Sequence, residues 1–107
     1  MFTFDPYLDR DESGVAIGIN VSCTDVTDRD LAQLGRFPRL RSISLSFTEI
    51  GDAGLVHLQH LSELELLNLA HSAVSDVGLR CLKSLARLEF LNLIAAAITD
   101  AGVGELE

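Results

Sequence analysis

Three histidines and two cysteines are the strongest candidates in this 107-residue sequence for proton transfer, metal ligation or nucleophilic attack. His57 and His60 lie three residues apart, but a zinc site needs further ligands, and none falls at the matching place in the sequence. His71 lacks the carboxylate that a catalytic triad places behind its histidine. Cys23 and Cys81 lack the CxxC spacing of redox and zinc sites. The sequence therefore predicts no catalytic residue, no metal site and no cofactor, and we do not expect an enzyme.

Composition and charge restrict the kind of partner. Sixteen acidic against eight basic residues give a formal net charge of -8, which repels phosphate backbones and anionic lipid headgroups. The hydrophobic share of 48% and the charged share of 22% are typical of a soluble globular domain. No cationic segment followed by an apolar run opens the sequence, so no secretory signal is predicted. We expect a cytoplasmic protein that binds neither nucleic acid nor membranes.

A period of 24 residues organises the sequence. Sliding the sequence against itself by that interval aligns apolar residues in columns, and this regularity indicates a repeat protein. The columns are Ile19, Ile43, Leu67 and Leu91; Val21, Leu45, Leu69 and Leu93; Val26, Ile50, Val74 and Ile98; Leu31, Leu55, Leu79 and Val103; Leu34, Leu58, Leu82 and Leu106; Phe37, Leu61 and Leu85; and Leu40, Leu64 and Leu88.

Each unit divides into two halves with different periodicities. Ile43 and Leu45 alternate with serines, the pattern of a short strand with one buried face. Leu55, Leu58 and Leu61 fall three apart, which suits a short α or 3₁₀ helix. One unit cannot bury its apolar side alone, so neighbouring units must stack, with the strands in a parallel sheet and the helices in an opposite layer. The predicted fold class is α/β.

Two sets of hydroxyl-bearing residues recur at fixed places in the units. The first set follows each strand and is predicted to hydrogen-bond the backbone of the turn; it comprises Thr24, Thr48 and Ser72. The second set directly precedes an aspartate at the start of each helix and is predicted to cap the helix N-terminus; it comprises Thr27, Ser75 and Thr99. Both roles are structural.

The unit reads LxxLxLxxTxI(T/S)DxGLxxLxxL, and over residues 16–106 the chain resembles the leucine-rich repeat, above all the variants of large bacterial repeat proteins and of F-box-associated repeats. The resemblance implies a right-handed solenoid with a parallel sheet on its concave side, short helices on its convex side, and a role in binding other proteins. The chain departs from the pattern at Asp30, which replaces the glycine of later units, and at Ala96, which replaces the hydroxyl residue.

A single leucine-rich repeat domain is predicted over residues 1–107. Residues 1–18 would form an N-terminal cap and lead-in, with an extra strand within residues 1–8. Repeat one covers residues 19–42, repeat two 43–66 and repeat three 67–90, and a partial fourth repeat covers 91–107. No sequence follows to cover the apolar side of the fourth repeat, so we expect either a homo-oligomer formed through the C-terminal end or a segment of a longer array.

The concave face is the candidate site, because the period alone identifies the outward residues of each strand. These residues are small and polar in the first two repeats and apolar around a central amide in the last two. An exposed apolar patch of this kind is typical of a protein interface. In the alternative, other parts of an array cover the patch, and the chain is a structural or oligomerising segment. The predicted protein-binding residues are Ser44, Ser46, Phe47, Leu66, Asn68, His71, Phe90, Asn92 and Ile94.

Overall fold

The protein is a stack of strand, turn and helix units. The computed structural model describes residues 7–104, apart from the side chains of Ala101 and Val103. The strands are β1 (Tyr7–Arg10), β2 (Ala16–Asn20), β3 (Ser42–Ser44), β4 (Leu66–Asn68) and β5 (Phe90–Asn92), which form one sheet in that order. The helical segments are 3₁₀ helices at Arg29–Arg36, Val56–Leu58 and Arg80–Ser84 and α-helices α1 (Asp52–Leu55), α2 (Asp76–Leu79) and α3 (Asp100–Gly104). The predicted α/β solenoid class is confirmed.

Strands β2 to β5 are parallel and pair in register at the interval of the sequence period. Ile19 lies opposite Ile43, which lies opposite Leu67, which lies opposite Leu91. Parallel neighbours need a crossover connection, and the helical segment of each unit supplies it. Strand β1 instead pairs antiparallel with β2, with Leu8 opposite Ile19. It covers the outer edge of β2. Residues 1–6 of the predicted capping segment lie outside the described residues.

The core lies between the sheet and the helical layer, and it is filled by the apolar columns that the period predicts. Leu67 and Leu69 have 0% exposure, as expected for inner repeats. Their equivalents in the fourth repeat, Leu91 and Leu93, are only partly buried, because no described unit packs on the far side of β5. Leu106, at the end of one column, lies outside the described residues.

The first set of hydroxyls hydrogen-bonds the turn after each strand, as predicted. Thr24 Oγ1 donates to the Val21 carbonyl and Thr48 Oγ1 donates to the Leu45 carbonyl, each at 2.6 Å. Thr48 is only 7% exposed, so its hydroxyl satisfies a polar backbone group inside the apolar stack.

Ser75 occupies the predicted N-cap position of α2 but makes no side-chain capping bond. Its hydroxyl, like that of Thr99, bonds to the preceding repeat. Ser75 donates to the carboxylate of Asp52 through its backbone N–H at 2.8 Å and through its hydroxyl at 2.5 Å. Thr99 donates to Asp76 in the same two ways, with 2.8 Å for the backbone bond. These aspartates accept hydrogen bonds across the repeat boundary while they occupy the first turn of their own helices, where the helix dipole favours an anion. They therefore tie each repeat to the next.

The first repeat does contain the predicted cap. The backbone N–H of Asp30 donates to Thr27 Oγ1 at 3.3 Å, and Asp30 Oδ2 accepts the Thr27 backbone N–H at 2.9 Å. This reciprocal pair is a capping arrangement local to one turn. Asp30 occupies the position that is glycine in the later repeats. One period before Asp28 the sequence has Phe4, so it supplies no preceding aspartate with which Asp30 would collide.

The inter-repeat aspartates explain the glycines of the later repeats. A Cβ on Gly54 would lie 2.6 Å from Asp28 Oδ1, and a Cβ on Gly78 would come closer still to Asp52. Carbon and oxygen do not approach so closely without repulsion, so any side chain at these places would displace the carboxylate.

We expect the carboxylate of Asp76 to make the stability of the fold sensitive to acid. Hydrogen bonds from the Thr99 hydroxyl and backbone N–H lower the pKa of Asp76. The unfolded-state pKa of an aspartate is about 3.9, so ionised Asp76 stabilises the fold above that pH, and this stabilisation is lost as the pH falls through the lower folded-state pKa. We expect Asp76→Asn to be less stable than the wild type at neutral pH, with a difference that closes below about pH 4. Urea denaturation across a pH series measures this, and a difference that does not change with pH would contradict it.

Candidate protein-binding surface

The sheet presents four rows of side chains on the face opposite the core, and we call this the open sheet face. Each row runs across the stack in the direction from β2 to β5, because paired strands bring equivalent residues side by side. Row one is Gly18, Ser42, Leu66 and Phe90; row two is Asn20, Ser44, Asn68 and Asn92; row three is Ser22, Ser46, Ala70 and Ile94; and row four is Cys23, Phe47, His71 and Ala95. All nine predicted site residues lie in these rows.

The serines of the first two repeats bond to one another. The Ser22 and Ser44 hydroxyls lie 2.6 Å apart, and the Ser46 hydroxyl donates to Ser22 Oγ at 2.9 Å. This part of the open sheet face therefore presents a closed polar network, in which much of the hydrogen-bonding capacity is already used.

The asparagines of the last two repeats are held in one orientation. Asn68 Oδ1 accepts the backbone N–H of Ala70, and Asn92 Oδ1 accepts that of Ile94, each at 3.0 Å. Within residues 7–104 their side-chain amide nitrogens donate to no acceptor. Each asparagine thus keeps its N–H donors for a bound molecule, and a backbone carbonyl is a suitable acceptor.

Large apolar side chains flank these asparagines on both sides. Leu66 and Phe90 lie in row one and are 38% and 55% exposed; Ile94 lies in row three and is 66% exposed. Phe47, in row four, is 59% exposed. Burying these side chains would be favourable by roughly 25 cal/mol for each Å² removed from water. The face therefore combines apolar area with a few positioned donors.

Row four has an unusual backbone conformation. Phe47 and His71 have φ values of 55° and 56°, in the left-handed region, and Cys23 and Ala95 share that conformation. The N–H of Phe47 donates to the Ala70 carbonyl at 3.0 Å and that of His71 to the Ile94 carbonyl at 2.8 Å, and these bonds to the next repeat hold the strained turns. The rings of Phe47 and His71 stack, with centroids 4.3 Å apart and planes at 10°.

Sequence reasoning missed three residues of this surface. Tyr7 is 70% exposed and pairs with Asn20 across the antiparallel β1–β2 pair, which lies outside the 24-residue register. Asp25 and Glu49 line a hollow beside row four. The signal that could have found the two carboxylates is their spacing, since they occupy the same position in successive repeats.

The histidines and cysteines do not gather into a metal site within the described part of the chain. His57 and His60 are exposed on the helical side. Among residues 7–104 no three His, Cys, Asp or Glu side chains come together as a possible metal-binding group. Both cysteines are free thiols. No helix in the same range is long and apolar enough to cross a membrane.

The stacked units, their parallel sheet and the leucine columns define a repeat solenoid of the leucine-rich type. A sequence profile described as leucine rich repeat matches residues 38–95, more than half of the chain. The chain belongs to the leucine-rich repeat family, as its sequence pattern predicts.

Comparison with solved structures supports the same fold. The chain is similar to an internalin from Listeria monocytogenes, with 19% sequence identity and a TM-score of 0.55. The match covers 85% of this chain and 32% of the internalin chain, so this chain spans about a third of that protein's length. No curated protein sequence matches significantly.

Proposed function

We propose that this chain is a non-catalytic interaction module that binds a protein partner on its open sheet face. The observation that carries the proposal is the pair Asn68 and Asn92, whose N–H donors lie between the exposed apolar side chains of Leu66, Phe90 and Ile94. Membership of the leucine-rich repeat family, whose domains generally bind proteins, supports it.

A polypeptide suits this surface better than other ligand classes. A peptide segment supplies carbonyl acceptors for the asparagines and apolar side chains for their flanks. The formal net charge of -8 disfavours nucleic acid and anionic membranes. The cytoplasmic location stays a prediction from the sequence.

Capture of partners from a cell lysate, read by mass spectrometry, tests the proposal with two variants. Phe90→Ser removes a large apolar side chain from the open sheet face, and we expect it to lose partners that the wild type captures. Val77→Ser is the matched control, because Val77 is 65% exposed but lies on helix α2. Equal capture by the wild type and Phe90→Ser would overturn the proposal.

A second candidate role, as an oligomerising or array-forming segment, is favoured by the exposure of the fourth repeat. Leu91, Leu93 and Ile98 are partly exposed, whereas their equivalents in repeat three have 0% exposure. Sedimentation over a wide concentration range would show self-association that Ile98→Asp removes. A monomer at every concentration would contradict the homo-oligomer.

A further inference from the structure

A hollow lies between repeats one and two, next to row four of the open sheet face. It has a volume of about 500 Å³, and Cys23, Asp25, Asp28, Phe47 and Glu49 are among the residues that line it. Cys23 and Phe47 also belong to row four. A partner that covers the open sheet face could therefore extend a side chain into the hollow.

Phe47 lines the hollow, and its ring also stacks on a neighbouring ring. His71, in repeat three, stacks on one face with centroids 4.3 Å apart. On the side of repeat one, the equivalent residue is Cys23, whose side chain is too small to cover a phenyl ring. Phe47 is 59% exposed, in agreement with this geometry. The hollow thus contains an aromatic surface suitable for stacking.

The hollow is also strongly acidic. Asp25 and Glu49 are exposed, and neither has an ion-pair or hydrogen-bond partner within residues 7–104. Asp28 adds a third carboxylate, one oxygen of which accepts the Gly51 backbone N–H at 2.9 Å. None of the described side chains that line the hollow is Lys or Arg. Opposite charge on a ligand would therefore be attracted to this place.

We propose that the hollow binds an arginine side chain of the protein partner. The guanidinium stacks on the face of the Phe47 ring opposite His71, while its N–H groups donate to Asp25 and Glu49. Arginine fits better than lysine because its guanidinium is planar, weakly hydrated and able to stack and to donate several hydrogen bonds at once. This inference rests on the proposed function, since the arginine belongs to the protein bound on the open sheet face.

Binding of N-acetylarginine amide to the whole chain, followed by NMR, tests the inference. We expect saturable shifts of the Phe47 and His71 ring signals. N-acetyllysine amide should bind about threefold more weakly, the loss equivalent to an exposed cation–π contact. N-acetylcitrulline amide, a neutral analogue of similar shape, should give no saturable shift. Arginine binding no stronger than that of lysine or citrulline would overturn the inference.

Variants connect the binding to the proposed residues. Glu49→Gln and Phe47→Leu should each weaken the binding of N-acetylarginine amide about threefold. Glu12→Gln is the matched control, because Glu12 is an exposed carboxylate outside the hollow, and it should change nothing. Unchanged binding by Glu49→Gln would overturn the inference.

Failure of this inference is distinguishable from failure of the proposed function. If wild-type chain gives no saturable shift with N-acetylarginine amide but loses its lysate partners on Phe90→Ser, the arginine site is overturned and the interaction module stands. If arginine binds as expected while Phe90→Ser captures every partner, the role of the sheet face is overturned instead.

Discussion

Replacement of Gly78 by alanine is expected to destabilise the fold by about 3 kcal/mol. The new Cβ would collide with Asp52 Oδ1 and lie 3.0 Å from Leu55 Cδ1. The carboxylate would have to move, and its hydrogen bonds to the Ser75 N–H and hydroxyl would be strained or lost. Urea denaturation followed by circular dichroism gives the change in the free energy of unfolding.

Two further variants show whether the collision with Asp52 is the cause. Gly35→Ala is the control, because a Cβ on Gly35 would meet nothing within 4 Å; it should be neutral or stabilise by up to about 1 kcal/mol. Combining Gly78→Ala with Asp52→Ala removes the colliding carboxylate, so the double variant should lose less stability than the sum of the two single variants. Strict additivity would show that Asp52 is not responsible.

Leu67→Ala should destabilise the protein by about 3 kcal/mol, the usual effect of creating a cavity in a packed core. Leu67 has 0% exposure and lies on β4, with neighbouring repeats on both sides. The same denaturation measurement reports the loss, and a change well below that value would mean that the inner repeats are less tightly packed than the structure indicates.

Leu91→Ala provides the matched comparison, because Leu91 occupies the same column one repeat later. It is only partly buried, so truncation should cost about 1 kcal/mol. An equal loss at both positions would show that Leu91 is covered in solution, and sedimentation would then identify whether a second copy covers it.

The sequence predicts the apolar skeleton because each inward position is filled three or four times at the same interval. The columns through Ile43 and Leu45 therefore reveal both the strand period and the stacking. The bonds of Asp52 and Asp76 to the next repeat could not be predicted in the same way. Local rules place Ser75 and Thr99 as helix caps, and only the packed register shows that the preceding aspartates lie within reach.

The candidate surface, too, is predictable from the sequence only in part. Strand alternation places Leu66, Asn68 and Phe90 on the open sheet face. The Phe47–His71 stack depends on left-handed turns at residues that are neither glycine nor asparagine, and no local sequence signal marks such turns. Whether the open sheet face binds a protein stays a proposal, which the Phe90→Ser comparison addresses.

Each inter-repeat aspartate fits against a glycine of the following repeat, and this fit also determines which repeats can be duplicated within the gene. Duplication of the stretch encoding residues 43–66 would place Asp52 against a glycine at both new junctions, so an inserted copy would fit its neighbours. A copy of residues 19–42 placed in the interior would instead set the side chain of Asp30 against an aspartate of the unit before it. The first repeat can therefore begin a solenoid but does not fit inside one. We expect lengthening by duplication to use the inner repeats.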